Sequence, residues 1–199
     1  MPPIVDADAL VVPGGSMSCQ ADAEAPWLAP TRQLISRTVR AGTPFLGICL
    51  GHQLATVALG GQVCTSDHFC LGAAEMHLTP EGKKDPLLSV YDGHRGIHFN
   101  NDVAVVLPED AVLLARDPTG QIEAVRFAER AWGVQFHPEC TPEIFDAWTI
   151  GHGEKEWQQR LPWSEAVTVA ETVRRDIDTV NAEEAFAARF QELIDPEKR

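Results

Sequence analysis

This sequence of 199 residues lacks several features that would place it in other classes of protein. No apolar run approaches the roughly 18 residues that a membrane helix needs, so we predict no membrane span. Basic residues are few, 16 against 29 acidic ones, and the net charge of -13 opposes binding to nucleic acid or to an anionic membrane surface. The five cysteines have no Cys-x-x-Cys spacing and follow no secretory signal, which predicts reduced thiols and a cytoplasmic location. These absences favour chemistry on small molecules.

A metal site is not predicted either. Cys64, His68 and Cys70 lie within seven residues and could join a zinc site, but no fourth ligand follows at a recognisable spacing. His94 and His98 have the i, i+4 spacing of a helix, but neighbouring glycines argue against a helix there. We interpret this pair as residues of a loop and a strand.

The order of apolar segments predicts an α/β fold. Hydrophobic residues make up 44% of the chain, enough for the core of one domain of ordinary size. Apolar segments at residues 9–12 and Phe45–Ile48 flank a helical pattern at Leu28–Arg40, and a strand, helix and strand with short links predict a parallel crossover. We therefore expect an open, mainly parallel sheet with helices on both faces.

Later segments predict additions to this sheet. Strands are expected at residues 111–115, 122–127 and 131–136, with turn signals between them, which predicts an antiparallel extension. Weaker patterns predict strands at residues 73–78 and 95–99. Thr141-Pro142-Glu143 is typical of a helix start, and that helix should end near residue 150. Residues 164–194 predict a helical tail that is interrupted near Asn181.

The strongest chemical signal lies in residues 44–61, PFLGICLGHQLATVALGG. Phe45–Ile48 predicts a strand, and apolar residues recur at helical spacing from Leu54, so Cys49 should lie at a sharp turn between them. Gly47 and Gly51 complete Gly-x-Cys-x-Gly, the cysteine counterpart of the Gly-x-Ser-x-Gly nucleophile elbow. The partial positive charge of a helix N-terminus favours the thiolate. These features favour a nucleophile over the alternative, a buried and inert cysteine.

A thiolate needs a proton acceptor, and His137 and Glu139 are candidates. They directly follow the strand predicted at residues 131–136, and in extended backbone residues i and i+2 project to the same side. Glu139 could thus hold the imidazole of His137 toward Cys49, as the third member of a triad does. The alternative is a capping histidine beside a solvated glutamate.

The two segments together resemble a known family. The motif GICLGHQ, followed some ninety residues later by GVQFHPE, is similar to the class I (triad) glutamine amidotransferases, and the resemblance runs from about Ala9 into the helix after His-Pro-Glu. It implies a flavodoxin-like fold and a stand-alone glutaminase domain at residues 1–150, followed by the helical tail at residues 151–199. It also implies a catalytic triad of Cys49, His137 and Glu139.

The resemblance assigns further residues around the nucleophile. The Pro13-Gly14-Gly15-Ser16 turn is similar to the family's oxyanion loop, so a backbone N–H near Gly14 or Gly15, together with that of Leu50, would stabilise the tetrahedral intermediate. Gln53 would help to hold the substrate glutamine, although it could equally be an ordinary first-turn helix residue. The segment at residues 100–102 is similar to the family's His-x-Asp segment beside the glutamine pocket, with an asparagine in place of the histidine.

The reaction that the resemblance implies is hydrolysis of the glutamine side-chain amide through a cysteinyl thioester, with no metal or organic cofactor. No Gly-x-x-x-x-Gly-Lys-Ser/Thr motif is present, so an ammonia-accepting synthetase would be a separate chain. Two alternatives stay open. The same triad could hydrolyse γ-glutamyl peptides, or the chain could be a non-catalytic binding or regulatory subunit.

The first residues depart from the family pattern. Members usually begin with a strand, a helix and a second strand before the segment that matches residues 9–15, whereas eight residues precede it here. We therefore expect two strands to be absent and residues 9–12 to form an exposed apolar edge. Such an edge would be completed by an upstream segment, or would pair into a homo- or hetero-oligomer.

Overall fold

The computed structural model describes residues 7–150, 163–177 and 182–195. Within these ranges the chain forms strands and α-helices in the order β1 (Leu10–Val12), α1 (Leu28–Arg40), β2 (Phe45–Ile48), α2 (Leu50–Ala58), β3 (Gln62–Glu75), β4 (His77–Leu78), β5 (Arg95–Val106), β6 (Val112–Arg116), β7 (Ile122–Ala128), β8 (Ala131–Val134), α3 (Pro142–Ile150), α4 (Trp163–Ile177) and α5 (Glu183–Ile194). Two short 3-10 turns, Gly82–Lys84 and Leu88–Tyr91, lie between β4 and β5.

The main sheet has six strands in the order β1-β2-β8-β7-β6-β4. Strands β1, β2 and β8 pair in parallel, and β7, β6 and β4 continue the sheet in antiparallel pairs. Strands β3 and β5 form a separate antiparallel sheet. The predicted α/β sheet with a parallel core and an antiparallel extension is therefore confirmed.

The central strands are buried on both faces because helices cover each side. All four residues of β2 are buried. Phe45 packs in the cluster that contains the apolar stripes of α1 and α2, whereas Leu46 and Ile48 belong to a second cluster that includes residues of α5. Alternate side chains of a strand point to opposite faces, so β2 joins the two halves of the core.

Helices after residue 150 pack onto both sheets. Phe186 and Phe190 of α5 lie in the same cluster as Tyr91 and Trp132, and α4 contributes Val173 to a third cluster beside β5. The predicted helical tail is confirmed, while Asn181, where the interruption is predicted, lies outside the described residues. Since α5 covers one face of the main sheet, the tail completes the core of the domain that precedes it.

One sequence-based prediction about the strands is wrong in its bounds, and a second is confirmed but gives too short a strand. A strand was expected at residues 73–78, but β3 runs from Gln62 to Glu75 and a separate two-residue strand, β4, follows. The strand expected at residues 95–99 extends to Val106. Both differences have one cause: β3 and β5 pair with each other over most of their length, with a bulge between Thr65 and Cys70, so a non-local partner stabilises polar segments as strands.

Strand β1 lies at the edge of the main sheet, as predicted. Among the described residues it pairs with β2 alone, and the side chain of Val11 is 47% exposed. No helix in the described part of the chain is long and apolar enough to cross a membrane.

Candidate active site

Cys49 lies at a strained turn between β2 and α2. Its φ of 49° and ψ of -104° make it the one residue other than glycine with a positive φ in the described part of the chain. Such a conformation costs about 1–3 kcal/mol and persists where the surroundings impose it. The Cys49 N–H donates to the carbonyl of Val134 at 2.8 Å, which ties the turn to β8. The predicted strand, turn and helix are confirmed.

The flanking glycines are required by close packing around this turn. A Cβ at Gly47 would lie 2.6 Å from the backbone of Gly51, and a Cβ at Gly51 would collide with the carbonyl oxygen of Val12 in β1. Neither position has room for a side chain. The Gly-x-Cys-x-Gly pattern therefore fixes both the turn and the distance between α2 and β1.

His137 and Glu139 follow β8, the strand beside β2. The N–H of His137 donates to the carbonyl of Ile97 at 2.8 Å, and its ring Nδ1 is 2.8 Å from Oε1 of Glu139. The His137 side chain is buried, whereas that of Glu139 is 33% exposed. The carboxylate thus holds one ring nitrogen and leaves Nε2 for another partner.

The electrostatics of His137 depend on Cys49. Burial lowers the pKa of His137, but the interactions with Cys49 and Glu139 outweigh burial and raise that pKa to about 9. Nε2 is buried and makes no hydrogen bond of ordinary geometry in the described structure. Gly14 lies against both groups, since a Cβ there would be 2.9 Å from Cε1 of His137 and 3.6 Å from Cβ of Cys49. At neutral pH this arrangement favours an imidazolium beside the sulfur.

Two cavities meet at Cys49. The first, of about 230 Å³, is here called the polar cavity and is lined by Cys49, Gln53, Thr65 and residues 15–18 and 99–102. The second, of about 390 Å³, is the aromatic cavity, lined by Cys49, His137, Glu139, Phe99, Trp148 and residues 13–16. A larger surface groove of about 490 Å³ lies along α1 and the end of α2, but it contains neither a nucleophile nor a base.

The predicted substrate-binding residues border the polar cavity. The side-chain nitrogen of Gln53 donates to the carbonyl of Asp102 at 2.8 Å and to Oε1 of Gln135 at 3.2 Å, so it holds β5 in place. Thr65 donates its hydroxyl to a carboxylate oxygen of Asp102 at 2.8 Å. Oδ1 of Asn100 is buried and has no partner among the described residues. This wall therefore contains the carboxylate of Asp102, which accepts a hydrogen bond from Thr65.

The predicted oxyanion segments lie side by side. A Cβ at Gly15 would be 2.7 Å from Cδ2 of Leu50, so the loop after β1 packs on the start of α2. Leu50 is the first residue of α2, where N–H groups have no acceptor within the helix.

Two buried histidines near the site were not predicted to have roles. His98 contacts Glu123 through Nε2 at 2.6 Å and the carbonyl of Gly96 through Nδ1 at 3.0 Å. Burial lowers the pKa of His98, but Glu123 outweighs burial and raises it. His52 is fully buried, packs on Phe127, and has its pKa lowered to about 4 by burial. The sequence signal for the contact between His98 and Glu123 was Glu123 itself, an acidic residue within the apolar strand β7.

Among the described side chains, no group of three histidine, cysteine or acidic residues lies close enough to hold a metal ion. Cys64 and Cys70 are part of β3, and the side chain of His68 lies outside the described residues.

A cysteine at a strained strand-to-helix turn, with a histidine and a glutamate after the neighbouring parallel strand, defines an α/β protein with a nucleophile elbow. The family model for glutamine amidotransferase class-I matches residues 3–151. The chain therefore belongs to the class I glutamine amidotransferases, and the family predicted from the motifs is confirmed.

Individual relatives agree with this assignment. The glutamine amidotransferase-like protein YfeJ of Salmonella typhimurium is 32% identical over 161 residues, which cover 78% of this chain and 66% of YfeJ. One subunit of the glutamine-hydrolyzing GMP synthase of Methanothermobacter thermautotrophicus is 34% identical over 101 residues, which cover 48% of this chain and 51% of that protein. The chain thus spans about two thirds of the first relative and half of the second.

A solved structure shows the same fold. The glutamine amidotransferase of Methylobacillus flagellatus superposes with a TM-score of 0.80 over 97% of this chain and 80% of that protein, at 24% identity. The chain therefore has the flavodoxin-like fold of the class I enzymes.

Proposed function

We propose that this chain hydrolyses the side-chain amide of glutamine through a thioester on Cys49 and releases ammonia. The observation that carries the proposal is the imidazole of His137, which lies between Glu139 and Cys49 and has its pKa raised to about 9. An imidazole in this position can accept the thiol proton of Cys49 as the sulfur attacks a carbonyl carbon, and it can then pass that proton to the leaving group.

The reaction follows from this pair. The thiolate of Cys49 attacks the amide carbon, and the carbonyl oxygen becomes an anion that the N–H groups of Leu50 and of Gly14 or Gly15 would stabilise. His137 gives its proton to the leaving nitrogen, ammonia departs, and the glutamyl group stays on sulfur. Water then attacks the thioester while His137 accepts its proton, and glutamate leaves.

The polar cavity would hold the amino-acid end of glutamine. The carboxylate of Asp102 suits an ammonium group, and the hydroxyls of Ser16 and Ser18 suit a carboxylate. Gln53 would act through β5, because its side-chain nitrogen already donates to Asp102 and Gln135.

The acceptor of the ammonia would be a synthetase on a separate chain. Support comes from the GMP synthase relative, which is one subunit of its enzyme and is matched over half of its length. A second candidate function, hydrolysis of γ-glutamyl amides larger than glutamine, is favoured by the size of the aromatic cavity on the His137 side.

Labelling by a glutamine-analogue electrophile, a chloroketone, tests the proposal. Wild-type protein should be labelled at Cys49 and should release equal amounts of glutamate and ammonia from glutamine, and Cys49→Ala should do neither. Cys64→Ala is the matched control, because Cys64 is exposed on β3 and should leave both readouts unchanged. Labelling without turnover would identify a non-catalytic binding protein instead.

A further inference from the structure

The position of His137 indicates which cavity takes the glutamyl group and which takes the leaving group. In amide cleavage the general acid must reach the leaving nitrogen, so the leaving group lies on the side of the nucleophile that carries the acid. His137 and Glu139 line the aromatic cavity, and the polar cavity contains neither. With the glutamyl group in the polar cavity, the leaving group enters the aromatic one.

The aromatic cavity is much larger than ammonia. Its volume is about 390 Å³, which is in the range of sites for organic ligands, whereas a molecule of the size of water takes up about 30 Å³. One wall consists of two aromatic side chains: the rings of Phe99 and Trp148 are 5.8 Å apart, and that of Trp148 is 4.6 Å from the imidazole of His137. Pro13 adds a further apolar surface.

The charge of the cavity limits what this wall can bind. Neither lysine nor arginine is among its described lining residues, and the carboxylate of Glu139 borders it. A leaving group with its own carboxylate, as in a γ-glutamyl dipeptide, would find no lysine or arginine among these lining residues and would face Glu139, which already pairs with the ring of His137. A neutral aromatic amine would instead pack on Phe99 and Trp148.

We propose that the aromatic cavity is a leaving-group site for arylalkylamines, so that γ-glutamyl amides of such amines are substrates of this site. The inference rests on the proposed thioester mechanism. The C–N bond of the γ-glutamyl amide breaks as the C–S bond to Cys49 forms, and the proton of His137 goes to the departing amine. Water then cleaves the thioester and returns glutamate, the thiolate and a protonated His137.

Three substrates for the wild-type protein test this directly: γ-glutamyl-phenethylamide, γ-glutamyl-phenylalanine and glutamine. The first two differ by a single carboxylate. We expect kcat/KM for the phenethylamide to exceed that for each of the others by on the order of tenfold or more. Equal or higher kcat/KM for glutamine overturns the inference and leaves the glutaminase proposal standing. If γ-glutamyl-phenylalanine equals the phenethylamide, the charge argument is wrong and the inference fails.

Variants of Trp148 provide the second test. Trp148→Ala should lower the ratio of kcat/KM for the phenethylamide to that for glutamine by about tenfold, and Trp148→Phe should restore most of it. Trp27→Ala is the matched control, because Trp27 is exposed at the start of α1. An unchanged ratio in Trp148→Ala would refute the role of the wall. Absence of all turnover together with unlabelled Cys49 would refute the proposed function and this inference with it.

Discussion

Among the described residues, two histidine–glutamate pairs have a buried histidine, and we propose that only one of them moves a proton to a substrate. His137 is 2.8 Å from Glu139 and His98 is 2.6 Å from Glu123, and in both histidines the pKa is raised. Both nitrogens of His98 are occupied, by Glu123 and by the carbonyl of Gly96, and the pair is buried. Nε2 of His137 makes no hydrogen bond within the described structure, and His137 and Cys49 line the same cavity.

The comparison shows what makes such a pair chemically useful. A carboxylate raises the pKa of an imidazole wherever the two meet. Proton transfer needs in addition a ring nitrogen without a protein acceptor and a reacting group next to it. We therefore interpret the inner pair, His98 and Glu123, as structural and the outer pair, His137 and Glu139, as catalytic.

The largest expected effect comes from removing Cys49, the proposed nucleophile beside the outer pair. Cys49→Ala should reduce glutamine hydrolysis by at least about 10⁴-fold, because no other group can form the thioester. The pKa of His137 should fall, since its interaction with Cys49 raises it, whereas the pKa of His98 should not fall, because Cys49 does not contribute to it and the charge of His137 lowers it. Histidine titration by NMR measures both values. Equal shifts in the two histidines would remove the distinction between the pairs.

Within the outer pair the two partners should differ. His137→Ala should reduce kcat by about 10³-fold because the general acid is lost, while Glu139→Gln should reduce it less, by about 10- to 100-fold, because an amide can still orient the ring. Steady-state kinetics of both variants at one pH gives the comparison. Equal losses would mean that Glu139 does more than position and stabilise the imidazolium.

The inner pair should matter more than the outer pair for the stability of the fold, the opposite of their expected effects on catalysis. Glu123→Gln should lower the free energy of unfolding by about 3–5 kcal/mol, because it leaves His98 buried without its counter-charge. Glu139→Gln should cost less than Glu123→Gln, since the side chain of Glu139 is 33% exposed and that of Glu123 is 2% exposed. Urea denaturation measures both. A larger loss in Glu139→Gln would show that the outer pair also stabilises the fold.

The smallest effect is on the pH dependence of stability. The pKa of His137 is raised to about 9 from an ordinary value near 6.5, so its contribution is fully present below pH 6.5 and is lost as the pH rises to 9. The free energy of unfolding of the wild-type protein should fall by about 1–3 kcal/mol between pH 6.5 and 9 because of His137. The raised pKa of His98 also makes the protein less stable as the pH rises. The test is therefore the slope of the free energy of unfolding against pH in His137→Ala, which should be shallower than in the wild type but not zero. An unchanged slope would contradict the raised pKa.

Local packing made the turn at Cys49 predictable, whereas the inner pair depends on contacts between distant segments. The glycines around Cys49 are dictated by the turn itself and by one carbonyl of β1, so a five-residue pattern was sufficient. The length of β5 and the contact between His98 and Glu123 both depend on residues more than twenty positions away in the sequence. Trp148 follows a well-predicted helix start, but its approach to His137 depends on how α3 packs.

The contact between Gly51 and the carbonyl of Val12 has a mechanical consequence. No atom fits between the two, so β1 cannot slide toward α2 without displacing the first turn of the helix that begins after Cys49. The exposed edge strand and the turn at Cys49 are therefore held at a fixed separation. A segment that adds a strand to β1 must accept that edge where it already stands.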